Sequence, residues 1–330
     1  MQSSEIERAA QLLREGKLVA FPTETVYGLG ADASNPQAVR RIFAAKGRPA
    51  DHPVIVHVHD AASLARWAQD IPPDAERLAA RFWPGPLTLV LKRAAGVIDE
   101  VTGGQDTVGL RCPSHPIAQE LLRAFAGGIA APSANRFGRI SPTTAQHVSD
   151  ELGNGVDLVL DGGACEVGIE STILDLSGGT ATLLRPGRIG AAEIESVIGV
   201  PVARGGIQSP RVSGSLEAHY APQLPLLLAT ALDLDRVVRE QSALRPVAVL
   251  ARHPRPRDSR SALWQIAATD AQVYAHDLYA LLRFIDRSGC ALIVVEAPPE
   301  RPEWDAVRDR LTRAAAASGS SAKAAAQRSR

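Results

Sequence analysis

Apolar and polar positions along the chain follow two periods, which together predict alternating helices and strands. Apolar residues recur at helical spacing over residues 6–14, which predicts an amphipathic helix. Short apolar runs at residues 18–21 and 54–58 are typical of buried strands. The tripeptide Ser-Asn-Pro at residues 34–36 joins a capping side chain to a proline in the first turn, so it predicts the start of a helix. Continued alternation of this kind favours an α/β fold.

The alternation is interrupted around residues 204–225, where Gly, Ser, Pro and Gln dominate and the apolar period disappears. We interpret this segment as a linker between a first domain, residues 1–203, and a second domain, residues 226–317. In the second domain, near-continuous apolar strands between helices predict a small parallel sheet covered on both faces. The final segment, residues 318–330, is rich in Ala and Ser and has no acidic residue, so we expect it to be disordered.

Composition narrows the classes of function. The 330-residue chain is 45% hydrophobic, and its 36 Lys and Arg residues balance its 36 Asp and Glu residues. It can therefore bury a substantial core, while a global basic field for nucleic acid is disfavoured and only a local patch stays open. No apolar run approaches the ~18 residues of a membrane-spanning helix, and the N-terminus has no signal-like apolar stretch. We expect a cytoplasmic protein with no membrane partner.

The three cysteines are far apart in the sequence and form no Cys-x-x-Cys or Cys/His cluster. This spacing disfavours both a structural zinc site and a disulfide framework. His57 and His59 are two residues apart and share one face of a predicted strand, and two such imidazoles could bind a metal ion. No third ligand lies near them in the sequence, so a metal site is the weaker interpretation.

Hydroxyl groups and glycines follow the first predicted strand, in the stretch FPTETVYGLG at residues 21–30. Polar groups on flexible backbone at the end of a strand suit a ligand-binding loop in an α/β sheet. A similar loop, APSANRFGRISPTT, covers residues 131–144, and its backbone amides could cradle an anion or bind a nucleobase or ribose. The alternative for the first stretch is a strand, a loop and a second strand whose polar groups are satisfied within the fold. The alternative for the second stretch is a Gly-, Ser- and Pro-rich loop that only turns the chain.

Four cations stand at the ends of predicted elements: Lys46 and Arg48 in KGRP, Arg111 in TVGLRCP and Arg185 in LLRPG. A guanidinium fork beside an ammonium group suits a phosphate chain, although cations at a helix C-terminus also offset the helix dipole. A buried arginine at a strand end needs a carboxylate or phosphate, from ligand or protein. No Walker loop, nucleophile elbow or redox cysteine stands out. This inventory indicates binding of a polyanion and a small polar acid, not covalent catalysis.

Taken in order, these motifs resemble the YrdC-like threonylcarbamoyl-AMP synthases, in the long form with an extra C-terminal domain. The pieces that carry the resemblance are PTETVYGLG, KGRPxxHPVIVH, WPGPLTLVL, TVGLRCP, PSANxxGxxSPTT, GIESTILDL, LLRPG and HYAP. The resemblance implies a twisted mixed-sheet domain, also described as DHBP-synthase-like, followed by a smaller Rossmann-like α/β domain. It spans about residues 10–222 by motif, and the C-terminal domain matches more by position.

The resemblance also implies a nucleotidyltransferase that converts ATP, L-threonine and bicarbonate into threonylcarbamoyl-adenylate and pyrophosphate. A separate threonylcarbamoyl-transferase complex then modifies the tRNA adenosine next to the anticodon, so tRNA is an indirect or weak partner. Mg²⁺ is expected only with ATP, and no tightly bound organic cofactor is implied.

By motif, the residues that look like L-threonine contacts are Thr25, His57, Arg111, Ala131 and Ser171. The residues that look like ATP contacts are Lys46, Arg48, His52, Thr107, Ser133, Asn135, Ser141, Arg185 and Tyr220, the last reaching back from the linker. Charge neutralisation during catalysis is expected from Lys46, Arg48 and Arg185.

Two positions depart from the family pattern. His52 stands where relatives usually have Asn, and it can still donate a hydrogen bond. The linker, usually similar to SPGMKYRHYAP, reads VSGSLEAHYAP here, so Glu217 and Ala218 replace two cations while Tyr220 is kept.

Two rival interpretations stay open at this point. One is an RNA- or tRNA-binding module without turnover, which predicts tight, salt-sensitive binding. The other is a relative that forms carbamoyl-adenylate from carbamoyl phosphate, a group that usually carries zinc-finger and acylphosphatase-like modules absent from this sequence.

Overall fold

The computed structural model describes residues 2–206, 209–214 and 216–328, which divide into two compact units. The described parts of residues 1–137 and 141–215 form the first unit. The second unit comprises residues 138–140 and the described residues from 216 onward. The division falls inside the segment 204–225 that the sequence predicts to be a linker.

The first unit is built on a mixed sheet. The strands are β1 (Val19–Phe21), β2 (Gly28–Asp32), β3 (Ile55–His57), β4 (Leu87–Lys92), β5 (Thr107–Arg111), β6 (Ile129–Ala130), β7 (Leu158–Val159), β8 (Thr172–Asp175), β9 (Thr182–Arg185) and β10 (Ala203–Arg204). Their order in the sheet is β10-β9-β8-β4-β5-β3-β6-β2-β1-β7. Both parallel and antiparallel pairs occur, for example β3 with β5 and β4 with β5, which confirms the mixed-sheet prediction.

Helices cover the two faces of this sheet, and successive side chains of β1 show the division. Val19 and Phe21 pack into a cluster with the first and sixth helices, whereas Leu18 and Ala20 belong to the larger cluster on the other face. This is the period of two expected for a strand buried on both sides. The helices are α1 (Gln2–Arg14), α2 (Pro36–Lys46), α3 (Leu64–Trp67), α4 (Pro73–Phe82), α5 (Asp99–Thr102), α6 (Pro116–Phe125), α7 (Ala145–Leu152) and α8 (Ala191–Ile198).

The predicted start of α2 is confirmed, and the ends of this helix place two of the predicted cations. Asn35 caps it, because its side-chain oxygen accepts hydrogen bonds from the amides of Gln37 and Ala38 at 3.0 and 3.2 Å. Gly47 ends it in the left-handed conformation, with φ 63°. Lys46 is therefore the last helical residue, and Arg48 follows the sharp turn.

Strand β2 lies inside the stretch that the sequence predicts as a ligand loop. Gly28–Asp32 pairs antiparallel with β1, so the loop proper is limited to residues 22–27. Gly30 is required by packing: a Cβ there would lie 2.8 Å from the Phe21 ring and 2.9 Å from Ile129 Cγ2. Glycine usually weakens a strand, but here it permits the close approach of neighbouring side chains.

The second unit contains a parallel sheet with the strand order β11-β14-β12-β13, which confirms the predicted architecture. Its strands are β11 (Leu226–Ala229), β12 (Val247–Ala251), β13 (Leu263–Ile266) and β14 (Leu292–Glu296). Its helices are α9 (Leu234–Ser242), α10 (Ala271–Asp286) and α11 (Asp305–Arg328). Helix α11 enters the segment 318–330 for which the sequence predicts disorder, and residues 329–330 lie outside the described residues.

Within the described part of the chain, no helix combines the length and apolar character needed to cross a lipid bilayer.

Candidate active site

The loop at residues 22–27 is held by one threonine side chain. Thr23 Oγ1 accepts hydrogen bonds from the amides of Thr25 and Val26, each at 3.2 Å, and donates to the Val26 carbonyl at 2.7 Å. The Tyr27 amide donates to the Pro142 carbonyl at 2.9 Å, which joins this loop to the loop at residues 131–144. The two loops that the sequence singled out are therefore neighbours.

Arg111, at the end of β5, is buried against the first of these loops. Its Nη2 lies 2.7 Å from the Glu24 Oε1 atom, and its Nη1 donates to Thr25 Oγ1 at 2.9 Å. Arg111 and Glu24 retain only 4% and 3% of their accessible surface. A buried guanidinium without a counter-charge would be strongly unfavourable, so Glu24 is the protein partner that this strand-end arginine requires.

His57 is the cross-strand neighbour of Arg111 in the β3–β5 pair. Burial, and then the positive charge of Arg111, lower the pKa of His57 to about 3. Its Nδ1 atom is buried with no hydrogen-bond partner among the described residues. Close to neutral pH this imidazole is uncharged, and it can exchange a hydrogen bond with a ligand.

The backbone of Ala131 is hydrogen-bonded to β3, the strand that carries His57. Its amide donates to the Ile55 carbonyl at 2.9 Å. The structure thus brings Thr25, His57 and Arg111 together, and Ala131, which follows β6, is hydrogen-bonded to Ile55 at the start of the strand that carries His57.

Ser171, the fifth predicted threonine contact, is joined directly to a predicted nucleotide contact. Arg185 donates from Nη2 to the Ser171 hydroxyl and from Nε to the Ser171 carbonyl, both at 3.0 Å. The same hydroxyl lies 2.8 Å from Thr88 Oγ1. Ser171 therefore stands between the sheet and the Arg185 guanidinium.

Arg48 and Arg185 converge on Ser213. Arg185 Nη1 donates to the Ser213 carbonyl at 2.8 Å, and Arg48 Nη2 donates to the Ser213 hydroxyl at 3.3 Å. Arg48 also donates to the Pro53 carbonyl at 2.8 Å. Two oxygens of one residue thus receive hydrogen bonds from two arginines that were predicted to bind phosphate.

Ser213 belongs to the described segment 209–214, which is anchored on the first unit through Gln105. The Gln105 side chain accepts from the Arg211 amide at 2.8 Å and donates to the Arg211 carbonyl at 3.1 Å. Beneath this segment is a cavity of about 20 Å³, lined among others by Thr88, Thr107 and Ser213. Such a volume holds about one water molecule.

Lys46 is completely enclosed and faces the second loop. Its Nζ donates to the carbonyls of Ser133 and Asn135, each at 2.5 Å. Burial is the main cause that lowers the pKa of Lys46 well below its usual value, and the charge of Arg48 lowers it further. Ser133 and Asn135 thus meet Lys46 through their backbone.

Ser141, in the same loop, donates to a buried carboxylate. Its hydroxyl lies 2.5 Å from Glu170 Oε1, and both residues are almost fully inaccessible. The carboxylate precedes Ser171 in the chain, so it connects this loop to the Ser171–Arg185 pair.

His52 is half-buried at an aromatic corner beside Arg48. Its ring meets the edge of Phe137 at 5.4 Å between centroids, and the Arg48 guanidinium lies 5.8 Å from the same ring. Burial, followed by the charge of Arg48, lowers the pKa of His52. A neutral ring at this position still offers the hydrogen-bond donor expected from the usual Asn.

Tyr220, the remaining predicted nucleotide contact, is placed in the second unit. It is 1% exposed, its ring stacks against Tyr279 at 6.0 Å, and the Arg310 guanidinium lies 5.1 Å from its centroid. Inside its own unit this tyrosine is a core side chain.

Three residues that contact the predicted ones were not singled out from the sequence: Glu24, Phe137 and Ser213. Glu24 stands within the quoted motif PTET, and the need of Arg111 for a carboxylate pointed to such a residue without identifying it. Glu170 stands beside Ser171 in the quoted motif GIEST, but its contact with Ser141 was not predicted. The sequence pattern around Phe137 and Ser213 does not indicate that either residue contacts the site.

Neither thiol chemistry nor a protein metal cluster is offered by the described residues. The three cysteines are buried and unpaired, and burial raises the pKa of Cys112 to about 11 and that of Cys165 to about 12. Among the described residues, no group of three or more His, Cys, Asp or Glu could hold a metal ion. His57 lies in β3 and His59 beyond its end.

Comparison with known proteins identifies two family regions. A family model described as "Telomere recombination" (Sua5_yciO_yrdC) matches residues 11–187, and one described as "Threonylcarbamoyl-AMP synthase, C-terminal domain" matches residues 189–316. A threonylcarbamoyl-AMP synthase of Pyrococcus abyssi is 41% identical over 322 residues, covering 94% of this chain and 93% of the relative. One from Bacillus subtilis is 39% identical, with the same coverage of both chains.

A solved structure shows the same two-domain architecture. The crystal structure of P. abyssi Sua5 complexed with L-threonine superposes with a TM-score of 0.88 at 38% identity, covering 96% of this chain and 95% of that one. Both family models, the full-length relatives and this structure agree with the motifs in the sequence. The chain therefore belongs to the Sua5/YrdC family of threonylcarbamoyl-AMP synthases, in the form that carries the C-terminal domain.

Proposed function

We propose that this chain forms threonylcarbamoyl-adenylate and pyrophosphate from L-threonine, bicarbonate and ATP. The observation that carries the proposal is the convergence of Arg48 and Arg185 on the two oxygens of Ser213, next to the corner formed by Arg111, Thr25 and His57. One cluster of the site suits phosphate oxygens, and the other suits a small amino acid.

The amino-acid half of the site is built around Arg111. This guanidinium supplies positive charge for a carboxylate, while the Thr25 hydroxyl and the neutral His57 ring supply groups that can hydrogen-bond the rest of L-threonine. Glu24 keeps the guanidinium in one orientation, because it binds Nη2 and leaves the Nη1 edge toward Thr25. A fixed orientation lowers the cost of seating a small ligand.

The nucleotide half is closed by the segment 209–214. The oxygens of Ser213 stand where we expect phosphate oxygens, and the cavity of about 20 Å³ below them is too small for a triphosphate. We infer that ATP binding displaces Ser213 and transfers the hydrogen bonds of Arg48 and Arg185 to the phosphates. Such an exchange keeps both guanidiniums paired throughout.

The chemistry needs no nucleophile from the protein. The threonine amine attacks bicarbonate and water leaves, which gives a carbamate; a carbamate oxygen then attacks the α-phosphorus of ATP, and pyrophosphate leaves. Arg48 and Arg185 would offset the charge that develops on the phosphates. A bound phosphate nearby would favour the ammonium form of Lys46, which would then add to this positive charge. The protein's part is positioning and electrostatic stabilisation.

The described residues do not form a protein site for Mg²⁺. The buried carboxylates of Glu24 and Glu170 are already engaged by Arg111 and Ser141, and no carboxylate cluster accompanies them. We therefore expect any Mg²⁺ to arrive with the nucleotide phosphates, and the roles assigned above do not depend on it.

The test is one assay of the purified full chain with ATP, bicarbonate and a panel of amino acids. The proposal predicts that pyrophosphate and an acyl-adenylate appear together, that both require bicarbonate, and that L-threonine is used better than serine, valine or alanine. Pyrophosphate release that ignores bicarbonate or the amino acid would refute it. Formation of carbamoyl-adenylate from carbamoyl phosphate would favour the rival relative instead.

We further propose that the product passes to a threonylcarbamoyl-transferase complex, which modifies the tRNA adenosine next to the anticodon. The net charge of zero supports an indirect or weak role for tRNA. Tight, strongly salt-dependent tRNA binding without turnover would support the RNA-binding alternative.

A further inference from the structure

A second cavity lies in the first unit and shares no lining residue with the cavity beneath the segment 209–214. Its volume is about 260 Å³. Its floor is apolar, formed by Val58, Trp67 and Leu122, and its polar lining includes His59, Arg66 and Arg123. The volume is slightly below the ~300–1,000 Å³ typical of pockets for drug-sized ligands, so it suits a compact molecule.

Two arginines from different helices line this cavity, and no described carboxylate pairs with either one. Arg66 lies in α3 and Arg123 in the last turn of α6, and both are exposed. Among the described residues neither has a carboxylate within ion-pair distance, whereas exposed arginines such as Arg40 and Arg236 do have one. The two guanidiniums therefore form a local concentration of positive charge in a chain of zero net charge.

The acidic residues nearest to the two arginines along the chain do not pair with them. Glu120 lies three residues before Arg123 but outside ion-pair distance, and Asp70 lies four residues after Arg66 and pairs with Lys92 at 3.2 Å.

Asp60 follows His59, but it does not line the cavity, and its Oδ1 accepts hydrogen bonds from the amide and hydroxyl of Ser63 at 3.0 and 2.9 Å. These bonds lower the pKa of Asp60 and hold its charge at the cap of the short helix. Its Oδ1 is thus engaged by Ser63, and its Oδ2 lies 3.4 Å from Nδ1 of His59, which lines the cavity.

Local roles explain each arginine only in part. Arg66 stacks over Trp67, with its guanidinium 5.6 Å from the ring centroid, and Arg123 offsets the dipole at the end of α6. Ring stacking and the helix dipole do not explain why Arg66 and Arg123 both line the same cavity with an apolar floor. A guanidinium pair of this kind matches the oxygens of a phosphate or carboxylate.

We propose that this cavity binds a small organic anion, consisting of an apolar or aromatic body that carries one phosphate or carboxylate group. The body occupies the floor formed by Val58, Trp67 and Leu122, and the oxyanion lies between Arg66 and Arg123. This site goes beyond the proposed synthase activity, and it does not depend on it.

The test measures binding of three probes to the full chain: phenyl phosphate, benzoate and the neutral phenol. Trp67 forms part of the floor, so binding is followed by intrinsic fluorescence and, independently, by calorimetry. We expect saturable binding of phenyl phosphate or benzoate and at least tenfold weaker binding of phenol; the stronger of the two anions identifies the preferred oxyanion. The fluorescence change should be absent in Trp67→Phe.

Variants that remove one positive charge show whether the anion binds at this cavity. Arg66→Gln and Arg123→Gln should each weaken binding of the preferred anion by about tenfold, as expected for loss of a hydrogen bond between charged groups. Arg81→Gln is the matched control, because Arg81 is also exposed and stacks over a neighbouring ring, Phe82, at 5.2 Å. Binding to this variant should be unchanged.

The proposal would be overturned by no saturable binding of either anion, by equal binding of phenol, or by binding that survives both glutamine variants. Loss of binding in Arg185→Lys but not in Arg66→Gln would also overturn it, because the probe would then occupy the candidate active site. The synthase assay is scored separately on the same variants. If that assay fails, the binding measurements still test this cavity on their own.

Discussion

The buried ion pair between Glu24 and Arg111 gives the most quantitative prediction. Glu24→Gln removes the negative charge while it keeps a side chain of the same size. The guanidinium then stays in the interior, 4% exposed, without its partner at 2.7 Å. Breaking one side of a buried pair costs about 3–5 kcal/mol. Because glutamine can still accept the hydrogen bond that the Ser114 amide donates to Glu24 at 3.0 Å, we expect the low end, about 3 kcal/mol.

The assay is urea unfolding of the full chain followed by circular dichroism, with thermal unfolding as a second measurement. For a unit of this size, about 3 kcal/mol corresponds to a fall in Tm of roughly 6–12 °C. The control is Asp70→Asn, which breaks an ion pair with Lys92 whose partners are 68% and 50% exposed and which should cost less than about 1 kcal/mol. A loss of stability for Glu24→Gln no greater than that of the control would refute the assignment of Glu24 as the required counter-charge.

Three further predictions follow from individual contacts. The pKa of His57 is about 3 in the folded state and near 6.5 in the unfolded state, so the unfolded state binds more protons below pH 6.5. The free energy of unfolding therefore falls as the pH is lowered. Between pH 7 and 5, the wild type should lose about 2 kcal/mol more than His57→Gln in urea titrations, and equal losses would contradict a buried neutral ring. Ser213→Ala removes the hydroxyl that binds Arg48 and should tighten ATP binding a few-fold by calorimetry, since such a bond is worth about 1 kcal/mol; weaker binding would exclude the proposed displacement. Gly30→Ala forces a Cβ to within 3 Å of two side chains and should cost about 1–3 kcal/mol, whereas Gly178→Ala, in open space, should cost much less in the same unfolding assay.

The sequence predicted the second unit well because its strands are continuous apolar runs between helices. The runs at residues 226–229, 247–251 and 292–296 are three of the four parallel strands. The fourth strand, at 263–266, is partly exposed at the edge of the sheet and has no such run, so nothing in its composition distinguished it from a loop. Strand β2 was expected only in the alternative to a ligand loop at residues 21–30. Its glycines are unfavourable in an isolated strand and make sense only against the neighbouring Phe21 and Ile129 side chains.

The candidate site was predictable where a side chain has a strict physical requirement. Arg111 at a strand end needed a counter-charge. Capping at Asn35 fixed the start of α2, and the Gly47 that follows Lys46 ends this helix just before Arg48. The contacts of Ser213 could not be predicted, because they depend on how a Gly- and Ser-rich segment folds back onto the sheet. The contacts of Phe137 with His52 and Arg48 could not be predicted either, because they also depend on how a loop folds.

The central claim is that one site holds a nucleotide through Arg48 and Arg185 and an amino acid through Arg111. Steady-state pyrophosphate release by Arg111→Lys and Arg185→Lys, with each substrate varied in turn, tests it most directly. We predict that Arg111→Lys raises the KM for L-threonine at least tenfold with little change for ATP, and that Arg185→Lys does the reverse. Equal effects of both variants on both substrates, or full activity in either one, would contradict the account.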